Sequence, residues 1–139
     1  MFWKPSPETQ RRRLFKGAYL GKVRRVQKAL TAGVGVDITD SYGRTALCIA
    51  AKNNRLDVIR LLIESGADPN IKMSRGRTPI YLAIRHGQPE TVKLMIELGA
   101  RLDVTDREGF TPYDYAVARD KSSLCDLLRV KAESESVSA

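Results

Sequence analysis

The chain holds a single histidine, His86, two cysteines, Cys48 and Cys125, and sixteen Asp or Glu among 139 residues. Nucleophilic catalysis needs a hydroxyl or thiol beside a base, and acid–base catalysis needs paired acids in a pocket. His86 has no partner pattern of either kind. It precedes Gly87 where a helix is expected to end, so it reads as a solvated or C-terminal capping residue. Both cysteines sit inside apolar segments and read as buried reduced thiols, and no ligand spacing for zinc can be written. The glycines recur at a fixed period and mark turns, so none opens a phosphate-binding loop. The sequence therefore predicts no catalytic residue, no metal and no cofactor. What remains is ionic recognition, because 24 Lys and Arg leave a formal charge of +8, and arginine offers carboxylates a planar fork of donors.

That charge is concentrated at one end. Residues 1–39 carry nine Lys or Arg against Glu8 and Asp37, a net of +7, which leaves +1 for the other hundred residues. Such asymmetry fits an acidic partner, whether protein, nucleic acid or membrane surface. The length suits one domain, and 42% hydrophobic with 29% charged residues describes a folded body with a core. The longest apolar run is the six residues 46–51, far below the roughly 20 that cross a bilayer. A signal-peptide stretch is also missing from the N-terminus. The expected home is the cytoplasm, the nucleus or both, with no membrane partner.

The elements that must position these cations follow from a repeat. Gly43, Gly76 and Gly109 stand 33 residues apart, inside GRTALCIA, GRTPIYLA and GFTPYDYA. Residues 40–72 laid over 73–105 give ten identities without a gap. Extended backward, the register puts Leu14, Ala18, Val26, Leu30 and Gly33 on the same positions, so units are expected at about 7–39, 40–72, 73–105 and 106–130. Each unit parses as two short helices. Thr78 and Thr111 read as N-caps, with Pro79 and Pro112 at the first helical position, and Gly33, Gly66 and Gly99 fit the left-handed residue past the second helix. The polar stretch between pairs should project as a finger. Residues 131–139, KAESESVSA, lack core spacing and read as a disordered tail beyond a 1–130 domain.

The period and the string Thr78-Pro79-Ile80-Tyr81-Leu82-Ala83 resemble the ankyrin repeat and its Thr-Pro-Leu-His-x-Ala signature. The resemblance covers about 7–130 and implies an all-α fold, an ankyrin-repeat solenoid of four helix-turn-helix units with short β-hairpin-like fingers. The phrase Gly-Ala-Asp-x-Asn survives once, at residues 66–70. The signature histidine is replaced by Phe15, Cys48, Tyr81 and Asp114, which implies loss of a hydrogen-bond network and a less stable stack. Asn70 resembles the asparagine that is hydroxylated in many ankyrin repeats; on its residue type alone it bonds loop backbone.

Ankyrin stacks bind other proteins through a concave side made of finger tips and first helices. Carried over by register, that side comprises Tyr42, Arg44, Lys52, Arg75, Arg77, Arg85, His86, Arg107, Phe110 and Arg119, with Ser41, Asn53, Ser74, Glu108 and Ala118 between them. Seven of these fifteen are Lys or Arg and one is acidic. The implied function is a non-catalytic adaptor or inhibitor, a monomer before binding, that recognises an acidic segment or surface of another protein. A nucleic-acid-associated subunit is the alternative from another class, although no aromatic platform for bases is visible. A further alternative is a cyclin-dependent-kinase regulator. Residues 12–15 resemble the Arg-x-Leu-Phe docking motif for cyclins, Ser6-Pro7 resembles a proline-directed phosphorylation site, and residues 41–44 and 99–104 resemble stretches of the four-repeat ankyrin inhibitors of those kinases. Leu14 shares its register with the core position Leu47, however, so a folded first unit would hide it. Arg11 to Arg13 with Lys16 also fit a nuclear localisation signal or the polar side of a helix start.

Overall fold

The computed structural model describes residues 4–86 and 88–137, with side chains through residue 134. Residues 1–3 and 87 of the expected domain, and 138–139 of the expected tail, lie outside the described residues. Eight α-helices and no strand occur among those described. They form consecutive packed pairs: α1 (Pro7–Leu20) with α2 (Val23–Thr31), α3 (Ala46–Lys52) with α4 (Leu56–Glu64), α5 (Pro79–Arg85) with α6 (Pro89–Glu97), and α7 (Pro112–Ala118) with α8 (Ser122–Val137). The chain divides between Asp68 and Pro69 into two compact units of two pairs each. The all-α expectation of paired short helices thus holds.

The boundaries follow from local chemistry. The Thr45 hydroxyl accepts the Cys48 N–H at 3.3 Å, and Thr111 and Asp114 form a reciprocal capping box. Thr78 holds the same place, but the Tyr81 N–H bonds the Thr78 carbonyl at 3.1 Å, and the buried Thr78 hydroxyl has no partner among the described residues. Gly33, Gly66 and Gly99 follow α2, α4 and α6 at φ 96°, 98° and 110°, the left-handed region that a side chain avoids. Helix α1 is twice as long as its counterparts, because Ser6 caps it a turn and a half upstream by accepting the Thr9 N–H at 3.1 Å.

In the first unit α1 packs on α2 and α3, and α2 packs on α4. Leu14, Ala18, Val26 and Ala29 are fully buried there. Gly17 makes the approach possible, since a Cβ at that position would stand 2.9 Å from a Val26 methyl. Burial of Leu14 removes the side chain that a cyclin-docking motif has to present. The Cys48 thiol is buried, as the sequence implied, and that burial raises its pKa, whereas Cys125 is only half-buried, a correction to the reading of both as buried. Cys125 sits on α8, in the last pair, with no later helix pair among the described residues to cover it.

Each finger is closed by a pair of backbone bonds rather than a strand ladder, with 40 to 44, 73 to 77 and 106 to 110 bridged at 2.8–3.0 Å. Asp40 organises its finger by accepting the Tyr42 and Arg44 N–H groups at 2.9 Å, and Asp106 does the same for Glu108 and Phe110. The finger of the third repeat has Met73 at this position and cannot. It folds instead through a 3₁₀ turn at Ser74–Gly76, with Arg75 at φ 63°.

This difference decides where the arginines go. Arg44 pairs with Asp40 of its own finger at 2.9 Å. Arg77, lacking an aspartate at 73, reaches the fully buried Asp106 carboxylate of the next finger at 3.3 Å, where Phe110 replaces the arginine that would otherwise compete. Two further bonds tie the same fingers together, from the Arg107 N–H to the Arg75 carbonyl at 2.9 Å and from the Tyr81 hydroxyl to the Phe110 carbonyl at 2.7 Å. Tyr81 therefore supplies a bond where the signature histidine is missing, Asp114 supplies the capping box, and Cys48 meets the Thr45 hydroxyl at 3.2 Å. Other side chains thus supply contacts at three of the four positions where the signature histidine is missing.

The expected disordered tail is corrected over 131–137, where α8 continues as helix to Val137. The cause is a missing terminator: the register that places Gly33, Gly66 and Gly99 places Ala132 here, and Ala, Lys and Glu all favour helix.

Two outcomes are expected. Leu14→Ala should cost about 2–5 kcal/mol in chemical denaturation, the range for a buried leucine; a loss within 0.5 kcal/mol, about the size of a surface change, would place Leu14 outside the core. Burial opposes ionisation of Asp106, but the Phe110 N–H, the Arg77 side chain and the Glu108 N–H outweigh it and hold the carboxyl below its ordinary value. A depressed folded pKa gives stability above the unfolded value, about 3.9, that is lost as pH falls through the folded one. Asp106→Asn should thus cost about 1.5–3 kcal/mol at pH 7, and its gap from the parent should close as thermal melts are carried below pH 4.

Candidate functional site: a basic groove in the second unit

The second unit carries an open groove of 450 Å³, lined by Arg75, Arg77, Arg85, Glu108, Phe110, Tyr115, Ala118, Arg119 and Lys121. Its parts come from two fingers and two first helices, so the 33-residue register brings together side chains far apart in sequence. Tyr115 is the centre. Its ring meets Tyr81 edge-on at 5.3 Å, and the guanidinium groups of Arg77 and Arg119 lie 4.8 and 4.9 Å from its centroid, within range of cation–π attraction.

The five cations of the groove are not equivalent. Arg77 is 15% exposed and held by Asp106, with Glu108 at 3.8 Å, so it is a structural clamp and not the solvent-facing arginine that its register implied. Arg85 and Arg119 are exposed, at the end of α5 and just past α7. Among the described residues no carboxylate pairs with Arg75, Arg85, Arg119 or Lys121. Glu108 is the one acid in the lining. Burial pushes the Tyr81 hydroxyl far up, so it remains a hydrogen-bond donor at neutral pH.

The other expected residues fall elsewhere. His86 caps α5 and is exposed, and Arg107 is exposed on the fourth finger; neither lines the groove. Tyr42, Arg44 and Lys52 belong to the first unit. There Tyr42 is 76% exposed under the Arg44 guanidinium at 5.0 Å, and Asp40 holds Arg44. Asp40 is lowered from its ordinary value because the Arg44 and Tyr42 contacts overcome its burial. Asn70 bridges loops, donating to the Gly99 carbonyl at 3.0 Å and accepting the Arg101 N–H at 2.8 Å. Asp37, one repeat earlier, accepts the Asp68 N–H in the same way. Sequence reasoning missed Tyr115 and Lys121. Tyr115 shares its register with Ile49 and Leu82 and looked like packing alone; its distinguishing sign was an aromatic ring two residues after Tyr113 in an arginine-rich neighbourhood.

Among the described residues no helix is long and apolar enough to cross a membrane, and no cluster of His, Cys, Asp and Glu could hold a metal ion. Comparison with known proteins agrees with the fold. The family described as "Ankyrin repeats (many copies)" matches residues 47–96. Ankyrin repeat, SAM and basic leucine zipper domain-containing protein 1 of Ovis aries and of Bos taurus is 34% identical over 65 residues, 46% of this chain and 14% of the relative. Its counterpart in Colobus guereza is 34% identical over 61 residues, 44% of this chain and 13% of the relative. The chain thus matches about a seventh of the length of these relatives. Ankyrin repeats generally mediate protein–protein interaction and are typically non-catalytic. With the 33-residue register, the paired helices, the fingers and this match in hand, the chain carries ankyrin repeats, matched over residues 47–96.

Proposed function

We propose that the chain is a non-catalytic protein-binding module whose second unit takes an acidic segment of another protein into the basic groove. The observation that carries this reading is the set of four cations, Arg75, Arg85, Arg119 and Lys121, that converge on one groove without carboxylate partners. Arginine and tyrosine are frequent among the residues that dominate binding energy, and a clamped Arg77 beside Tyr115 gives the groove a rigid floor. Carboxylates of the partner would meet Arg85 and Arg119 at the rim, while its apolar side chains would lie on Phe110 and Tyr115.

A second reading, association with nucleic acid, draws on a different surface. Residues 9–36 contain eight Lys or Arg and no acid. Arg12, Lys16, Arg24, Arg25 and Lys28 are exposed on α1 and α2. Phosphate contacts made there would be sequence-tolerant and strongly salt-dependent.

One experiment separates the two. Affinity capture and titration would compare the parent with Arg85→Glu/Arg119→Glu and with Arg24→Glu/Arg25→Glu/Lys28→Glu. The groove variant should keep its melting temperature and lose partner affinity about tenfold or more, because a desolvated charge pair broken in this way costs about 2–5 kcal/mol. The α2 variant should leave partner capture intact. The opposite pattern, with tight, steeply salt-dependent binding of unrelated duplexes lost in the α2 variant, would move the function to nucleic acid.

A further inference from the structure

The corner that joins α1 to α2 departs from the repeat register at positions that face solvent. One repeat on, Tyr19, Leu20 and Arg24 correspond to Lys52, Asn53 and Asp57, and one repeat later to Arg85, His86 and Glu90. The fourth repeat has Ala118, Arg119 and Ser123 there. Only the first corner thus carries large apolar side chains at the first two positions and a cation at the third. Tyr19 is 57% exposed, Leu20 is 37% exposed and Arg24 is exposed. Lys52, Asp57, Arg85, His86 and Glu90 are exposed as well, although a repeat precedes each of them. Core packing therefore gives no reason for the apolar pair.

The backbone beneath the pair is fixed. Gly21 ends α1 at φ 73°, and the N–H groups of Gly21 and Lys22 both bond the Gly17 carbonyl. Arg55, from the next corner, donates its Nε–H to the Tyr19 carbonyl at 3.0 Å and packs over Gly21, where a Cβ would stand 2.9 Å from the Arg55 side chain. Little backbone order then has to be gained on docking. Cations surround the pair: Lys16 lies one turn earlier on α1, and Lys22 and Arg24 follow at the turn and the start of α2. All three are exposed, none pairs with a carboxylate among the described residues, and residues 9–36 hold no acid.

We infer that this corner docks peripherally on an anionic membrane surface, with Tyr19 and Leu20 entering the headgroup region and Lys16, Lys22 and Arg24 meeting the lipid phosphates and carboxylates. Tyrosine suits that boundary, because its ring is apolar and its hydroxyl stays wet. Each cation held near an anionic leaflet strengthens binding by about fivefold. One weak anchor gives only marginal attachment, and stable attachment takes two kinds of signal. The corner supplies both, an apolar pair and a ring of unpaired cations, from adjoining turns of chain. Nucleic acid would use the same cations but would leave the exposed leucine without a role, so the apolar pair favours lipid. Contact of this kind needs no helix that crosses the bilayer.

Co-sedimentation of the full chain with vesicles tests this. The parent should bind phosphatidylcholine vesicles that hold about 30% phosphatidylserine and leave pure phosphatidylcholine vesicles unbound, because the cations need an anionic leaflet. Tyr19→Ser/Leu20→Ser should weaken that binding by about tenfold or more, with a melting temperature within about 3 °C of the parent, as befits exposed side chains. Lys22→Glu/Arg24→Glu should weaken it by about tenfold or more as well. Arg85→Glu/Arg119→Glu, in the groove of the second unit, should leave it intact. Equal binding to both vesicles or to neither, full binding by the Tyr19→Ser/Leu20→Ser variant, or a loss confined to the groove variant would overturn the assignment. Unrelated duplex DNA should fail to strip the parent from the anionic vesicles. A duplex that does so, and whose own binding is lost in both corner variants, would make nucleic acid the occupant and overturn it equally.

Discussion

Short helices cannot stand alone, and everything in this protein answers to that constraint. A helix of seven or nine residues has too few hydrogen bonds to repay its nucleation in water. It persists because one face is buried against a neighbour. The fully buried columns, Leu14, Ala18 and Val26 in one unit and Ile80, Ile84 and Val92 in the other, are where that requirement is met. The small residues Ala50, Ala83 and Ala116 let the facing helices come close enough to meet it. The fingers, caps and groove are attached to helices that would not otherwise exist.

Polar side chains then decide how the fingers relate to one another. An aspartate at the base of a finger satisfies two backbone N–H groups and leaves one oxygen for a cation. Where the finger also carries an arginine, as Asp40 and Arg44 do, the pair closes locally. Methionine at 73 and phenylalanine at 110 break that symmetry in complementary ways, one leaving an arginine without its acid and the other an acid without its arginine. The resulting Arg77–Asp106 pair crosses from finger to finger and fixes one wall of the groove, beside which Arg85 and Arg119 are exposed.

The fold was legible because its signals are periodic: glycines at 43, 76 and 109, Thr-Pro caps and buried columns all repeat at the same interval. Positions where the repeat is broken were harder to read. Arg44 and Arg77 occupy one register and look alike in sequence, yet the acid that holds each of them depends on a residue four positions earlier and, for Arg77, on another repeat. Residues 131–137 are polar in composition yet helical, because Ala132 stands where the register elsewhere places a terminating glycine. Tyr115 meets Tyr81 within the packing register, while its two cation contacts depend on Arg77 and Arg119 at other positions of the repeat.

The two arginine–aspartate pairs also differ in what they do to cooperativity. In a one-dimensional chain of repeats, stability separates into what each repeat contributes by itself and what neighbours contribute jointly. Arg44–Asp40 lies within one finger and belongs to the first kind, so its loss would loosen a single repeat. Arg77–Asp106 spans two fingers, as do the Tyr81 and Arg107 bonds beside it, and belongs to the second. The last two repeats are therefore coupled through polar contacts as well as apolar ones, and local opening of the fourth finger carries the third with it. The basic groove sits on that coupled pair, so its two walls share those contacts.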